Sequence, residues 1–176
     1  MIKKALSVLT VLFLSSFSLS CGQYTNIPAQ FRISSDSNLT ATISYSSSGV
    51  TVTPAKLVLL GEPGSIGATF EKMTINYNTG ELTNLTAQPV SLRVDSSSFF
   101  EKQSDGKIKI DVSKASLELP IISDKVINVG KGQTPNNIYA IVSLTGTDDA
   151  GWPTSLDVGV SIVFIKNTGT TTAASL

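Results

Sequence analysis

Histidine is absent from this 176-residue chain, and cysteine occurs only once, at Cys21. The missing histidine excludes a Ser-His-Asp triad, a Cys-His pair and a histidine-ligated zinc site, because each of them needs an imidazole. The single cysteine excludes an intrachain disulfide and a multi-cysteine metal site. We therefore expect a protein that is not an enzyme and that has no cofactor and no catalytic residues.

Charged residues are also scarce, at 15% of the chain, against about 25% in an average soluble protein. The 13 basic and 13 acidic side chains balance, and they form neither a basic stripe nor an acidic block. Nothing therefore favours a nucleic-acid partner. Serine, threonine and asparagine fill the gap, which favours strands with polar outward faces over long exposed helices.

The first twenty residues have the pattern of an export signal. Lys3 and Lys4 precede an apolar run at residues 5–17. That run has the length of a signal-peptide core and is shorter than the roughly twenty residues of a membrane-spanning helix. We predict that residues 1–20 are a helical signal peptide that is cleaved from the mature protein. A short buried helix is the alternative.

The segment around Cys21 reads FSLSCG over residues 17–22 and resembles the lipobox of bacterial lipoprotein precursors. In that family a leucine three positions before the cysteine is followed by small residues. Ser20 fits the pattern, whereas Leu19 lies one position late and Ser18 takes the usual place of leucine. The resemblance implies a lipid such as palmitate on Cys21, a membrane as partner, and a place in the cell envelope facing the periplasm or the surface. A secreted protein with a free Cys21 is the alternative.

Apolar residues recur at every second position along most of the mature chain, which predicts strands with one face on a core. Turn signals rich in Gly, Asp and Pro separate these runs. No window has the 3.6-residue spacing of a helix, and Phe70 breaks the phase of its run, which suggests a β-bulge. The predicted strands are at residues 39–45, 73–77, 90–94, 108–112, 117–121, 138–144 and 156–164.

This pattern predicts an all-β fold, an antiparallel β-sandwich of about seven to nine strands, with a closed barrel as the alternative. Residues 139–144, 145–151 and 156–164 together resemble the final hairpin of immunoglobulin-like domains in bacterial surface proteins. We predict four regions: a signal peptide (1–20), a lipidated N-terminus and tether (21–37), the immunoglobulin-like sandwich (38–166) and a flexible tail (167–176). A first short strand at residues 30–34 is possible within the tether.

The acidic turn of that hairpin is the most site-like feature. Asp148 and Asp149 could bind Ca²⁺ with backbone carbonyls of Gly146 or Ala150. Aspartate and glycine also serve turns by local hydrogen bonds and positive φ. We favour this second interpretation and expect no metal.

Aromatic and acidic residues offer two further hypotheses. Trp152 could present an aromatic platform to a glycan or peptide, or it could fold over the end of the sandwich and cap the core. Paired carboxylates could act in a glycan hydrolase, although their spacing carries no signature. The other aromatic candidates are Tyr24, Tyr45, Tyr77, Phe99 and Phe100, and the carboxylates are Glu62, Asp95, Glu101, Asp105, Glu118 and Asp124.

The leading functional hypothesis is a non-enzymatic, membrane-anchored envelope lipoprotein that acts as a structural or binding module toward a protein or glycan. The second is a subunit of an extracellular fibre, in which the threonine-rich C-terminus or the segment before Asn38 completes a neighbour's sheet. The hydrolase is the third.

Overall fold

The structure, a computed structural model, describes residues 28–98, 101–102, 104–109, 112–132 and 138–166. These residues form a mostly β fold with packed sheets, as the alternation predicts, together with an α-helix. The elements are β1 (Phe31–Ile33), β2 (Thr40–Ser46), β3 (Gly49–Thr53), β4 (Ala55–Gly61), β5 (Ala68–Tyr77), β6 (Leu85–Val94), β7 (Glu101–Lys102), β8 (Ile108–Lys109), β9 (Lys114–Leu119), α1 (Asp124–Gly132), β10 (Ile138–Asp148) and β11 (Pro153–Lys166).

Two main sheets organise the molecule. The large sheet has the strand order β3-β2-β11-β10-β5-β6, and the small sheet has the order β1-β4-β9. Strands β10 and β11 form a long hairpin at the centre of the large sheet, with a register that runs from Ile138 opposite Ile162 to Thr147 opposite Pro153. Strands β7 and β8 pair separately.

One pair departs from the predicted antiparallel arrangement. Strand β2 runs parallel to the last part of β11, with Thr40 opposite Ser161 and Tyr45 opposite Lys166. The prediction of a wholly antiparallel sandwich is therefore wrong at this pair. Alternation defines which face of a strand is buried, but it carries no information about the direction of a neighbour that is distant in sequence.

The strand count also exceeds the prediction, because eleven strands lie within the described residues. Strand β4 shows no alternation, since Leu57, Val58 and Leu59 are all buried. Of the strand predicted at residues 108–112, the described Ile108–Lys109 is a strand, but Ile108 is 66% exposed, so the predicted burial of its apolar face is wrong at this position. The bulge predicted at Phe70 is confirmed by a register shift between Phe70 and Lys72.

The folded part starts before residue 38. Strand β1 pairs with β4, with Phe31 opposite Gly61, which confirms the short strand expected near residues 30–34. The Phe31 ring also contacts the Phe70 ring edge-on at a centroid distance of 5.6 Å. The predicted tether of residues 21–37 is thus too long, because apolar burial and strand pairing hold its last part in the small sheet.

A single apolar core joins the two main sheets. Phe70, Ile75 and Val142 come from the large sheet, and Leu57 and Leu119 come from the small one; each is at most 1% exposed. Burying a side chain of this size contributes about 1.5–3 kcal/mol. This shared core is what makes the two sheets one folding unit.

The helix α1 corrects the prediction that no helix is present. It begins after Ser123, whose side-chain oxygen accepts a hydrogen bond from Val126 N at 3.4 Å, as an N-cap residue does. Val126 and Gly130 of the helix are buried, and Ile127 and Val129 pack against the core while partly exposed. Nine residues hold this apolar face for little more than two turns, which is too short for a clear 3.6-residue period. Docking fixes the helix instead: the Tyr45 hydroxyl donates to the Ile127 carbonyl at 2.6 Å.

Close docking of α1 gives a testable prediction at Gly130. Replacing a helical glycine by alanine normally stabilises a helix by about 1 kcal/mol. A Cβ at Gly130 would overlap the Phe164 ring and the Tyr45 hydroxyl, so Gly130→Ala should instead destabilise the fold by about 1–3 kcal/mol. Urea denaturation followed by fluorescence measures the change. Gly132→Ala is the matched control, since a Cβ there meets no atom within 4 Å; equal stability of the two variants would contradict the prediction.

Candidate functional site

The turn between β10 and β11, residues 148–152, is closed by its own backbone; we call it the 148–152 turn. Asp148 N donates to the Trp152 carbonyl at 2.9 Å, and Gly151 N donates to the Asp148 carbonyl at 2.9 Å. Gly151 has a φ of 83°, a left-handed conformation that glycine adopts without the steric cost of a Cβ. The glycine of this turn therefore has a conformational role.

The Asp148 carboxylate organises the turn from within. It is only 6% exposed, and its Oδ1 accepts hydrogen bonds from Ala150 N at 3.0 Å and Trp152 N at 2.8 Å. Its Oδ2 accepts a third, from Ala29 N at 3.2 Å. One carboxylate thus joins the 148–152 turn to the incoming N-terminal chain, and backbone donors compensate its burial.

Asp149 points to a different partner, the Arg93 guanidinium on β6. The two groups form a bidentate ion pair with Nη1–Oδ1 and Nη2–Oδ2 distances of 2.6 and 2.8 Å. Arg93 also donates to Thr69 and Asp95, at 3.1 and 3.0 Å. The hydrogen bonds from Arg93 hold the pKa of Asp149 below its ordinary value. The same bonds to Asp149 raise the pKa of Arg93. This pair fastens the turn to the edge of the large sheet.

These contacts favour the turn interpretation of Asp148 and Asp149 over calcium binding. Their carboxylates engage backbone N–H groups and a guanidinium, which are donors and not the oxygen ligands of a Ca²⁺ shell. Across the residues that the structure describes, no group of three or more His, Cys, Asp or Glu side chains is placed to hold a metal ion.

Trp152 does not cap the core, so that alternative is wrong. Its side chain is 58% exposed, and the flanking residues Ala150, Gly151 and Pro153 are exposed as well. The tip of the turn is therefore an uncharged projection with one large aromatic side chain. Such a side chain is available for recognition by a surface or a partner.

The other described aromatic candidates have internal roles. The Tyr77 hydroxyl donates to the Ile121 carbonyl at 2.7 Å, and burial raises its pKa. Tyr45 binds α1 in the same manner. Tyr24 and the side chains of Phe99 and Phe100 lie outside the described residues.

Three of the candidate hydrolase carboxylates form ion pairs with basic side chains. Glu62 lies 3.4 Å from Arg32, Asp95 lies 3.0 Å from Arg93, and Asp105 lies 3.3 Å from Lys107. Glu118 belongs to β9, Asp124 begins α1, and the side chain of Glu101 lies outside the described residues. These contacts give the acid-base hypothesis no support.

The attachment of Ala29 and Gln30 to the loops beside the 148–152 turn was not predicted, because the sequence suggests only a short strand at residues 30–34 within a tether. Gln30 N donates to the Ser65 hydroxyl at 2.8 Å, and Glu62 N donates to the Gln30 carbonyl at 2.9 Å. With the bond from Ala29 to Asp148, these contacts fix where the chain joins the fold. The apolar Phe31 directly after them was the available signal.

Strand β3 forms an open edge of the large sheet. All five of its residues are exposed, and none is charged. Val50 and Val52 are each 40% exposed, and within the described residues β3 pairs only with β2. The opposite edge, β6, contains Pro89 and register shifts in its pairing with β5, which hinder strand addition. Of the two edges, β3 is the one suited to pair with another strand.

In comparisons with known proteins, no family model and no curated protein matches the chain. The described residues include no helix that is long and apolar enough to cross a membrane. Cys21, the predicted lipidation site, lies outside the described residues.

The Arg93–Asp149 pair predicts a small acid-dependent change in stability. Because the pKa of Asp149 is lowered in the folded state, the pair stabilises the protein above about pH 4, and this contribution is lost as the pH falls through the folded-state pKa. The side chains are 45% and 42% exposed, so solvent screening limits the effect of Asp149→Asn to about 1 kcal/mol or less. Urea midpoints at pH 7 and pH 3 test this, with Asp157→Asn on the exposed face of β11 as control. A difference that does not become smaller between pH 7 and pH 3 would contradict the prediction.

Proposed function

We propose that this protein is a non-enzymatic envelope lipoprotein whose β domain acts as a structural or binding module. Lipid on Cys21 anchors it, with the module facing the periplasm or the cell surface. The export signal and the single cysteine at its end support the anchor. The contacts of Ala29 and Gln30 hold the chain to the fold eight and nine residues after Cys21, so the module stays close to the membrane.

The domain is most simply understood as immunoglobulin-like. Two packed sheets and a long final hairpin support this assignment. The parallel pairing of β2 with β11 and the helix α1 are departures from the pattern on which the resemblance rests. A structural comparison based on an experimental structure of the domain would test the assignment.

The observation that carries the binding role is the open edge of β3. This exposed strand alternates Val and Thr and presents its backbone donors and acceptors to an incoming strand. Because it has no charged side chain, it lacks the charges that usually prevent strand pairing at an edge. The same edge could accept a strand from a second copy, which keeps the fibre subunit as the alternative. In that case the donor would come from the C-terminal residues, because β1 already completes its own small sheet.

The anchor is tested by the intact mass of protein extracted from bacterial membranes. We expect a mature chain that begins at Cys21 and carries the mass of a diacylglyceryl group and an acyl chain. Cys21→Ser should move the protein out of the membrane fraction. An unmodified mass, or unchanged membrane association of Cys21→Ser, would refute the anchor.

The binding edge is tested by adding charge to β3. Val50→Lys combined with Val52→Lys should abolish complexes of the membrane-extracted protein on native gels, because charged edges resist strand pairing. Gln88→Lys on the exposed part of β6 is the matched control and should preserve them. Oligomers of the chain alone that resist SDS and grow with concentration would favour the fibre subunit. Complexes that survive the changes in β3 would exclude this edge.

A further inference from the structure

The N-terminal chain and Trp152 meet at the same end of the molecule, and one carboxylate holds them together. Asp148 accepts a hydrogen bond from Ala29 N with Oδ2 and from Trp152 N with Oδ1, at 3.2 and 2.8 Å. Ala29 is the first residue after Cys21 for which the structure gives a contact with the fold. Any anchor at Cys21 therefore draws the 148–152 turn toward the surface that holds it.

The covalent chain limits how far that surface can be. Eight residue steps separate Cys21 from Ala29, which is about 28 Å even at full extension. Strand β11 starts beside the turn at Pro153, and β2 pairs only with its residues from Ser161 onward. At about 3.3 Å per residue, Ser161 lies about 26 Å from Pro153. The end of the domain that carries Trp152 is thus the end at which the chain from Cys21 enters the fold, and the open edge of β3 lies toward the other end.

The chemistry of the tip suits the interfacial region of a bilayer. Trp152 is exposed and flanked by uncharged residues, and the charge of Asp149 is compensated by Arg93. Tryptophan favours the level of the lipid headgroups, where its ring is shielded from water and its N–H still finds acceptors. Asp95 and Asp148 leave this end slightly acidic, so contact would depend on the indole and not on attraction to anionic lipids.

We propose that the 148–152 turn faces the membrane and that Trp152 lies in the headgroup region of the lipid surface. The inference rests on the proposed lipid at Cys21. It gives the domain an orientation, with Trp152 proximal to the membrane and the β3 edge distal and accessible to partners.

The sequence offers a direct test, because Trp152 is the only tryptophan of the chain and its fluorescence reports a single position. The full lipoprotein, extracted from membranes, is incorporated into phosphatidylcholine vesicles with and without acyl chains brominated near the glycerol end. We expect Trp152 emission to shift to shorter wavelength, to lose most of its intensity to the brominated lipid, and to change little with salt.

The matched control moves the probe from the turn to the other end of the hairpin. Tyr139 is 52% exposed and lies at the far end of β10, nine residues from Asp148 and so about 30 Å away. In Trp152→Phe with Tyr139→Trp, the single tryptophan should keep its emission in brominated vesicles. Equal quenching at both positions would overturn the proposed orientation.

The intact mass of the same sample separates the two proposals. A lipidated protein whose Trp152 emission stays unshifted and unquenched overturns the orientation alone and leaves the anchor in place. An unmodified protein that does not associate with vesicles overturns the anchor and the orientation with it. A shift of Trp152 emission with peptidoglycan fragments but not with vesicles overturns the lipid contact in favour of a glycan platform.

Discussion

Gly146→Ala is expected to destabilise the fold by about 3 kcal/mol or more, because small-to-large changes are most costly where nothing can move aside. Gly146 lies on β10 beside a register shift in the pairing with β5. A Cβ there would overlap the carbonyl oxygen of Thr69 and the Cα atom of Phe70. These are backbone atoms of a central strand, so relief would require β5 to move away and would displace the buried Phe70 ring.

The neighbouring strand supplies the control for this change. Gly159 on β11 is exposed, and a Cβ there meets no atom within 4 Å. Gly159→Ala should leave stability unchanged or raise it by up to about 1 kcal/mol, since alanine loses less backbone entropy on folding than glycine. Urea midpoints of both variants and the original protein make the comparison. Similar midpoints for Gly146→Ala and Gly159→Ala would refute the packing argument.

Asp148→Ala should cost about 2–4 kcal/mol, because it leaves three backbone N–H groups without their acceptor in a largely buried place. Two of these groups belong to the 148–152 turn and the third is Ala29 N. The variant should therefore loosen both the turn and the attachment of the N-terminal chain. Denaturation measures the first effect, and limited proteolysis near residue 29 measures the second.

Asp148→Asn separates these two effects. Its amide oxygen can still accept from Ala150 N and Trp152 N, while its NH₂ group cannot accept from Ala29 N. We expect a midpoint between those of the original protein and Asp148→Ala, together with faster proteolysis near residue 29. Protection equal to that of the original protein would show that the bond to Ala29 does not hold the chain.

Asp148→Asn also bears on the proposed orientation. If the bond from Ala29 couples the anchor to the 148–152 turn, weakening it should reduce the quenching of Trp152 by brominated lipids without changing the mass of the lipidated protein. Undiminished quenching would mean that the contacts of Gln30 alone are sufficient to orient the domain.

Alternation predicted the strands that expose one face and bury the other, such as β2, β10 and β11, and the phase break at Phe70 located a bulge. Strand β4 was missed because both of its faces are buried, which removes the period of two. The helix α1 was missed because its apolar face spans only nine residues. The N-cap Ser123 was a further signal, and so short a helix depends on docking for its stability.

The candidate site, too, was predicted only in part. Composition and turn chemistry directed attention to residues 148–152, but the partners of Asp148 and Asp149 are distant in sequence. Ala29 precedes Asp148 by 119 residues, and Arg93 precedes Asp149 by 56. Local sequence therefore could not distinguish carboxylates that bind a cation from carboxylates that hold backbone and guanidinium donors.

By itself, the sequence determined the mostly β class and the location of the central hairpin and its turn, because these depend on local composition and period; the export signal ending at Cys21 stays a prediction from the same local composition. Only the tertiary structure decided that β2 runs parallel to β11, that β3 is an edge strand among the described residues, and that Trp152 projects beside the incoming chain. These features depend on contacts between residues far apart in the chain, and it is the packing of the shared core that brings such residues together.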